Sequence, residues 1–406
     1  MSILLINSEA FHVPLADRSV HMVAFSPPYW GLRDYSVGGQ LGLERSPDCL
    51  GWATGSKCGE CFVCHVMQYM AEAWRVLRDD GTCWVNIGDS YAANRGYQVA
   101  DSKHIDVGNN HGSKVPDGLK PKDMILIPQR LALALQSCGW YIRSDIVWHK
   151  PNPMTYSGTD RPTSDHEYVW LMSKSPRYYY DHIAIQEPAK ASSIKRTKQK
   201  NFANQTGGDK DYGKTGVNPN MSIRKSLENY AKHPETRNRR STWTIVTQPY
   251  KGSHFATWPE KLVEPMILAG TSEKGCCSSC GAQWKRILSR RKHATRDMES
   301  QRELTRKTTG RSDGHVSGPS GMTDETETAG WEAGCSCSSS IVPSRVLDIF
   351  AGSGTTLLVA RRLGRSAIGC DLSFKYLRDN ARERLGLNKL DDWNNGKPRV
   401  VDDTIE

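Results

Sequence analysis

Apolar residues in this chain come in short runs separated by helix-like or polar stretches. Ser2–Asn7, Val20–Phe25, Thr82–Asp89, Tyr141–Trp148, Glu167–Ser173 and Ala367–Cys370 read as strands, being short, apolar and bounded by turn residues. Met67–Leu77 and Ile127–Cys138 repeat their apolar positions at helical spacing, and the first should stop at Asp79-Asp80-Gly81. Leu357–Gly364 follows a strand and a glycine turn and also reads as a helix. Strands alternating with helices predict an α/β chain built on a doubly wound sheet. Three stretches break the alternation. Tyr91–Lys122, Gln186–Lys251 and Arg290–Ala329 are polar and poor in apolar residues, and are expected to be loops or insertions.

Two of the strand ends carry chemistry. Ser26-Pro27-Pro28-Tyr29-Trp30 directly follows Val20–Phe25. Proline has no N–H for a sheet ladder and drives the preceding residue out of helical geometry, so this is a stiff turn. It offers a hydroxyl, at least one unpaired carbonyl and two aromatic faces, which suits a flat polar ring read at its edge. Alone, it also fits a proline-rich turn with incidental aromatics. The second strand end is Val346-Leu347-Asp348-Ile349-Phe350-Ala351-Gly352-Ser353-Gly354-Thr355-Thr356. Its glycines allow close approach to a ligand, and Ser353, Thr355 and Thr356 are placed to cap the next helix. Asp371 ends the following strand, where an acid can hold ribose hydroxyls. Leu357 stands where a dinucleotide fingerprint needs its third glycine, which favours a nucleoside without a pyrophosphate.

In this order the two motifs resemble those of the β-group amino DNA methyltransferases, which move a methyl group from S-adenosylmethionine (AdoMet) to cytosine N4 or adenine N6. The resemblance implies a class I methyltransferase sheet with permuted motif order, Ser2–Asn7 lying beside Ala367–Asp371. Ser26, Pro27, Pro28 and Tyr29 match the catalytic motif. Asp348, Phe350, Ala351, Gly352, Ser353, Gly354 and Thr355 match the AdoMet motif, with Asp371 as ribose acceptor. His254–Pro259 is similar to the segment that closes over the methionine end, implicating Thr257, Trp258 and Pro259. Asn7, Trp30, His149 and Lys150 are further base-pocket candidates, Asn7 standing where many relatives have aspartate. The implied domains are a catalytic half over 1–185, with a Cys-rich insertion at 46–66 and a mobile loop at 91–122, then target recognition over 186–252. The AdoMet-binding half spans 253–272 and 341–390, interrupted by a Cys-rich insertion with a flexible loop at 273–340; a tail covers 391–406.

Charge agrees with a polyanionic partner. The 406 residues carry a net +10, and Gln186–Lys251 holds fourteen basic against five acidic residues. Basic groups there can neutralise phosphates of double-stranded DNA while Asn, Gln and Arg read base edges. No apolar run reaches membrane-spanning length and no leader pattern opens the chain, so a soluble protein is expected, without membrane partners. It would work in the cytoplasm of a prokaryotic or phage-infected cell, on nucleoid DNA, with a cognate restriction endonuclease as a candidate partner. Twelve cysteines in a reducing compartment point to metal rather than disulfides. Cys277, Cys280, Cys335 and Cys337 form two close pairs suited to structural Zn²⁺, with Cys276 as a substitute ligand. Cys49, Cys58, Cys61 and Cys64 make a second, more crowded set that would add another zinc, although Cys64 also fits a core position.

The resemblance implies a mechanism of base flipping, with the amine bonded to Ser26 Oγ and the Pro27 carbonyl and Tyr29 stacked on the base. Serine at the first motif position favours cytosine N4, with adenine N6 as the alternative. A catalytically inactive, zinc-stabilised DNA-binding protein is a third reading, but it would require a damaged motif, and both motifs are intact.

Overall fold

A computed structural model describes residues 2–32, 35, 37–92, 119–156, 158–197, 236–248, 257–294 and 322–387. Most of the expected Tyr91–Lys122 loop and of the recognition region 186–252 lies outside these residues. So do His254–Ala256, the centre of Arg290–Ala329 and the 391–406 tail.

Eight strands form the main sheet: β1 (Ile3–Asn7), β2 (Val20–Phe25), β3 (Leu77–Ile87), β4 (Tyr141–His149), β5 (His166–Ser173), β6 (Thr242–Thr244), β7 (Arg345–Asp348) and β8 (Ser366–Asp371). Their spatial order is β1-β8-β7-β2-β3-β5-β4-β6. The first five are parallel, and β5 runs antiparallel to both its neighbours. β1 pairs with β8 from Ile3↔Ala367 to Asn7↔Asp371, as the permuted order requires.

Both faces of the sheet are covered, so its central strands are mostly apolar, and every residue of β2 is buried, His21 included. Val23 and Phe25 point to a cluster with helices α1 (Phe62–Val76) and α2 (Ile127–Ser137). Met22 points to the opposite face, where α3 (Glu260–Gly270) approaches so closely that a Cβ on Gly270 would lie 3.0 Å from the Met22 sulfur. Helix α4 (Thr355–Arg362) connects β7 to β8. Among the described residues no helix is long and apolar enough to cross a membrane.

Three boundaries differ from the sequence pattern. Helix α1 starts at Phe62 rather than Met67, because Phe62, Val63 and Val66 extend the same buried face. Strand β3 starts at Leu77 and runs through the expected stop at Asp79-Asp80-Gly81. Gly81 permits this: a Cβ there would lie 2.8 Å from the His21 carbonyl oxygen. The ends of the expected Arg290–Ala329 loop are instead an antiparallel ribbon, Lys285–Ala294 with Met322–Glu332. At its base Arg286 lies 4.4 Å from the Trp331 ring centroid, an amphipathic stabilisation that a polar composition does not reveal.

The chain separates into two compact units. One comprises Met1–Ala184, Arg240–Trp284 and Ala333–Glu406 and contains the main sheet. The other comprises Ile185–Arg239 and Lys285–Glu332, with the long ribbon and a short one joining Glu187–Pro188 to Thr236–Arg237.

Candidate active site

β7 lies beside β2, with Val346 opposite Met22 and Leu347 opposite Val23. The sheet winds one way from β7 through α4 to β8 and the other way from β2 through α1 to β3. Such a switch point opens a crevice at the carboxyl ends of the strands. The Ser26 and Phe350 turns therefore meet in space despite their separation in sequence. They line one cavity of about 770 Å³.

Ser26, Pro27, Pro28 and Tyr29 form part of its wall. Ser26 Oγ is half-buried, 3.4 Å from Asn86 Oδ1 and 3.5 Å from the Tyr29 hydroxyl. Both distances are at the limit of hydrogen bonding, so the hydroxyl retains capacity for a ligand. The Tyr29 hydroxyl donates to Glu167 Oε2 at 2.7 Å, a charge-assisted bond that fixes the ring. Burial, then the charge of Glu167, holds its proton on well above the ordinary tyrosine range. The ring rests on Gly88, where a Cβ would stand 2.7 Å from Tyr29 Cε2. Asn86 Nδ2 donates to Glu167 Oε2 and to the Tyr168 carbonyl, both at 3.1 Å. Lys150 Nζ pairs with Glu167 Oε1 and lies over the Trp148 ring, 4.4 Å from its centroid. Five side chains from two strands and two turns thus hold one polar network against the cavity.

The other wall is the glycine turn. Phe350, Ala351, Gly352, Ser353 and Thr355 line it, together with Asp371. Gly352 has φ +50° and Gly354 φ +75°, conformations that a side chain would strain. Asp371 Oδ2 accepts from Gly352 N at 2.8 Å, and its Oδ1 accepts from Ser373 N at 2.8 Å. Burial pushes its carboxyl up to about 6. Arg384 donates to Thr355 Oγ1 at 2.7 Å and Ser353 Oγ at 3.1 Å, and pairs with Glu260 at 2.9 Å. Thr257 and Trp258 complete the lining. A flat nucleoside with hydroxyls for Asp371 and a methionine-like tail fits this donor and acceptor set.

Six expected site residues stand elsewhere. Asp348 is fully buried behind the turn, accepting from Phe350 N at 2.9 Å and from the Thr356 hydroxyl; burial pushes it up to about 7. It shapes the loop and does not line the cavity. Gly354 is the N-cap of α4, and no hydroxyl caps that helix, because Ser353 and Thr355 are bound by Arg384 and Thr356 by Asp348. Pro259 is the N-cap of α3, beneath Trp258 in sequence but outside the lining. Asn7 spends its amide N–H groups on the carbonyls of Asp371 and Leu372, both at 2.9 Å. Trp30 is buried, donating to the Glu44 carbonyl at 3.0 Å, so it packs the turn and forms no part of the cavity wall. His149 faces Thr244 and Asp165, away from the cavity. Conversely, Asn86 and Glu167 were missed. Their only signal is a polar residue flanking an apolar run, Asn86 after Cys83–Val85 and Glu167 before Tyr168–Met172.

Both cysteine sets converge. Within each of Cys49/58/61/64 and Cys277/280/335/337, all four sulfurs lie within 4.8 Å of one another. The crowding expected of the first set is relieved because Cys61 caps α1, accepting from Cys64 N. Cys276 is turned to the carbonyls of Val342 and Pro343 and is no ligand in this arrangement. Four thiols at such distances fit a closed tetrahedral zinc site.

A family model described as DNA methylase, for N6 and N4 enzymes, matches residues 20–277 and 338–382. The chain is 42% identical over 258 residues to the Type II methyltransferase M.Cfr9I of Citrobacter freundii, an alignment covering 63% of this chain and 68% of that protein. It is 38% identical over 254 residues to M.SmaI of Serratia marcescens, covering 62% and 69%. Among solved structures, the cytosine-N4-specific PvuII DNA methyltransferase aligns over 97% of this chain and 89% of that one, with TM-score 0.49 and 14% identity.

Proposed function

The chain belongs to the N6/N4 DNA methylase family, and on that footing we propose that it transfers a methyl group from AdoMet to the N4 amine of cytosine in duplex DNA. The observation that carries this reading is the single cavity in which Ser26–Tyr29 faces Phe350–Thr355 and Asp371. AdoMet, when bound, supplies an electrophilic methyl on a sulfonium. Asp371 would accept from the ribose hydroxyls, the Gly352 turn would allow close backbone approach, and Trp258 would cover the methionine end.

An exocyclic amine is a poor nucleophile because its lone pair is delocalised into the ring. Bonds from the amine to Ser26 Oγ and the Pro27 carbonyl would favour a pyramidal nitrogen as positive charge develops. Tyr29, held by Glu167 and Asn86, is rigid enough to stack on a flipped base. Holding amine and methyl in line supplies much of the acceleration. The product ammonium is acidic and can lose its proton to water, so no strong base is required. Lys150, neutralised by Glu167, would act on the base edge rather than as a free phosphate contact. Ser26 favours cytosine over adenine, and a cognate restriction endonuclease of the same site specificity is the expected partner in the cell. Structural zinc in the two cysteine sets completes the proposed cofactors.

The test is mass spectrometry of nucleosides from DNA treated with the purified protein and AdoMet. N4-methylcytosine is expected. N6-methyladenine would overturn the base assignment, and no methylated nucleoside on DNA of any sequence would overturn the reading altogether.

A further inference from the structure

Cys49, Cys58, Cys61 and Cys64 join two parts of the chain that the catalytic turn depends on. Cys49 and Cys64 sulfurs are 3.6 Å apart, close to the roughly 3.8 Å edge of a tetrahedron built on 2.3 Å zinc–sulfur bonds. Cys61 and Cys64 belong to the start of α1, whereas Cys49 ends the segment that returns from the Ser26–Tyr29 turn. That segment lies along the helix start, its Ser46 and Pro47 carbonyls accepting from Phe62 N and Val63 N at 3.1 Å.

Glu44 carries the connection onward. Its buried carboxylate pairs with His65 Nδ1 of α1 at 2.9 Å and accepts from Gly42 N at 2.9 Å. Its carbonyl accepts from Trp30 Nε1 at 3.0 Å, and the Gly42 carbonyl accepts from Gly31 N at 2.7 Å. Gly42 packs so tightly on the turn that a Cβ there would stand 2.7 Å from the Tyr29 carbonyl oxygen. From the other side, Asp48 accepts from Trp52 Nε1 and Arg130 Nη1, both at 3.2 Å, which ties the same segment to α2. Gln40 and Leu41, immediately before Gly42, line the cavity itself.

We infer that zinc held by Cys49, Cys58, Cys61 and Cys64 is a brace for the catalytic turn, acting through Glu44 and Gly42 to fix Ser26–Tyr29 against the cofactor wall. The inference rests on the methyltransferase reading. All four ligands come from the protein, so the site is closed and its contribution is positional. The Cys277/280/335/337 set serves as an internal control, since it shares none of these contacts.

The experiment uses the full chain. Metal analysis by plasma mass spectrometry should find two zinc ions per wild-type chain, one in Cys58→Ser and two in Glu44→Ala. Both variants should lose about tenfold or more in kcat, as outer-shell changes do, with AdoMet affinity by calorimetry within about threefold of wild type. Cobalt reconstitution should give thiolate-to-metal absorption that halves in Cys58→Ser. Active wild type with only one zinc, retained in Cys58→Ser, would overturn the inference alone. Wild-type kcat in Cys58→Ser after loss of one zinc would overturn the brace but leave the metal. Should Cys58→Ser fail to fold, Glu44→Ala decides, and full activity there refutes the connection. A zinc-loaded wild type without methyl transfer on any DNA would overturn the underlying reading, and the brace with it.

Discussion

Among the described residues Ser26 Oγ has only weak partners, at 3.4 and 3.5 Å, which leaves the hydroxyl open to the proposed amine. Ser26→Ala should leave AdoMet binding intact and lower kcat about 10²-fold, the scale for losing one positioned transition-state hydrogen bond; tritiated-methyl transfer to DNA checks it. Asp371 responds differently, because burial raises its carboxyl to about 6 while it accepts from Gly352 N and, in the proposed complex, from ribose hydroxyls. AdoMet affinity should therefore rise with pH through about 6 and level off above it. Asp371→Asn should weaken binding about tenfold at pH 8 and much less at pH 5, where the wild-type carboxyl is already protonated. Calorimetry at the two pH values measures both effects. Ser26 and Gly352 were legible in the sequence because paired prolines or closely spaced glycines directly after an apolar run favour a turn. Asn86 and Glu167 were not, since a polar residue near one end of a strand acquires meaning only from the strand beside it. Asn7 and Trp30 illustrate the converse: residue types suited to a base edge were taken up by Asp371, Leu372 and Glu44 of the fold itself.

Among the elements, β2 has the most to hold, pairing with β3 and β7 while ending in the catalytic turn. His21 on β2 is buried, its Nε2 donating to the Gly281 carbonyl at 2.9 Å and its Nδ1 accepting from Arg345 N at 3.0 Å. The ring is therefore neutral, and burial, aided by the nearby Arg78 charge, lowers its pKa to about 4. The unfolded imidazole titrates near 6.5, so between these values the unfolded chain binds more protons and stability falls as pH drops. Asp348 and Asp371, raised by burial, contribute with the opposite sign over an overlapping range. The His21 part is isolated by difference: relative to a His21→Leu variant, wild type should lose about 2 kcal/mol between pH 7.5 and pH 5, measured by urea unfolding. An unchanged difference would mean that folding leaves the pKa of the ring at its unfolded value. Most strands were readable because the parallel centre is apolar on both faces. The early start of β3 and the 285–332 ribbon were not, because each depends on a contact (Gly81 against His21, Arg286 on Trp331) between residues distant in sequence or polar in character.

At the scale of the whole molecule, the concentrated charge and the cavity of the proposed site fall in different parts of the chain. The net charge is +10, and fourteen basic residues fall within Gln186–Lys251, which the permuted order inserts between the catalytic and cofactor motifs. In the cavity wall Lys150 is paired with Glu167 and Asp371 is bound to backbone N–H groups, while Glu9 adds a further carboxylate and, among the described residues, no second cation lines it. Affinity for DNA and the chemical step should thus depend on different parts of the chain and separate under salt. Each phosphate neutralised contributes about −0.9 to the slope of log K against log salt, so six such contacts cost about 10³-fold between 50 and 200 mM. DNA binding measured by fluorescence anisotropy should weaken on that scale, whereas kcat at saturating DNA and AdoMet affinity should change by less than about threefold, because the paired charges of the cavity are screened little when partly buried. A replacement of the exposed Lys190 and Lys195 by glutamine should flatten the slope by up to about two contacts and leave kcat intact. If kcat fell in parallel with affinity at saturating DNA, the basic region would be shaping the catalytic turn rather than holding the duplex.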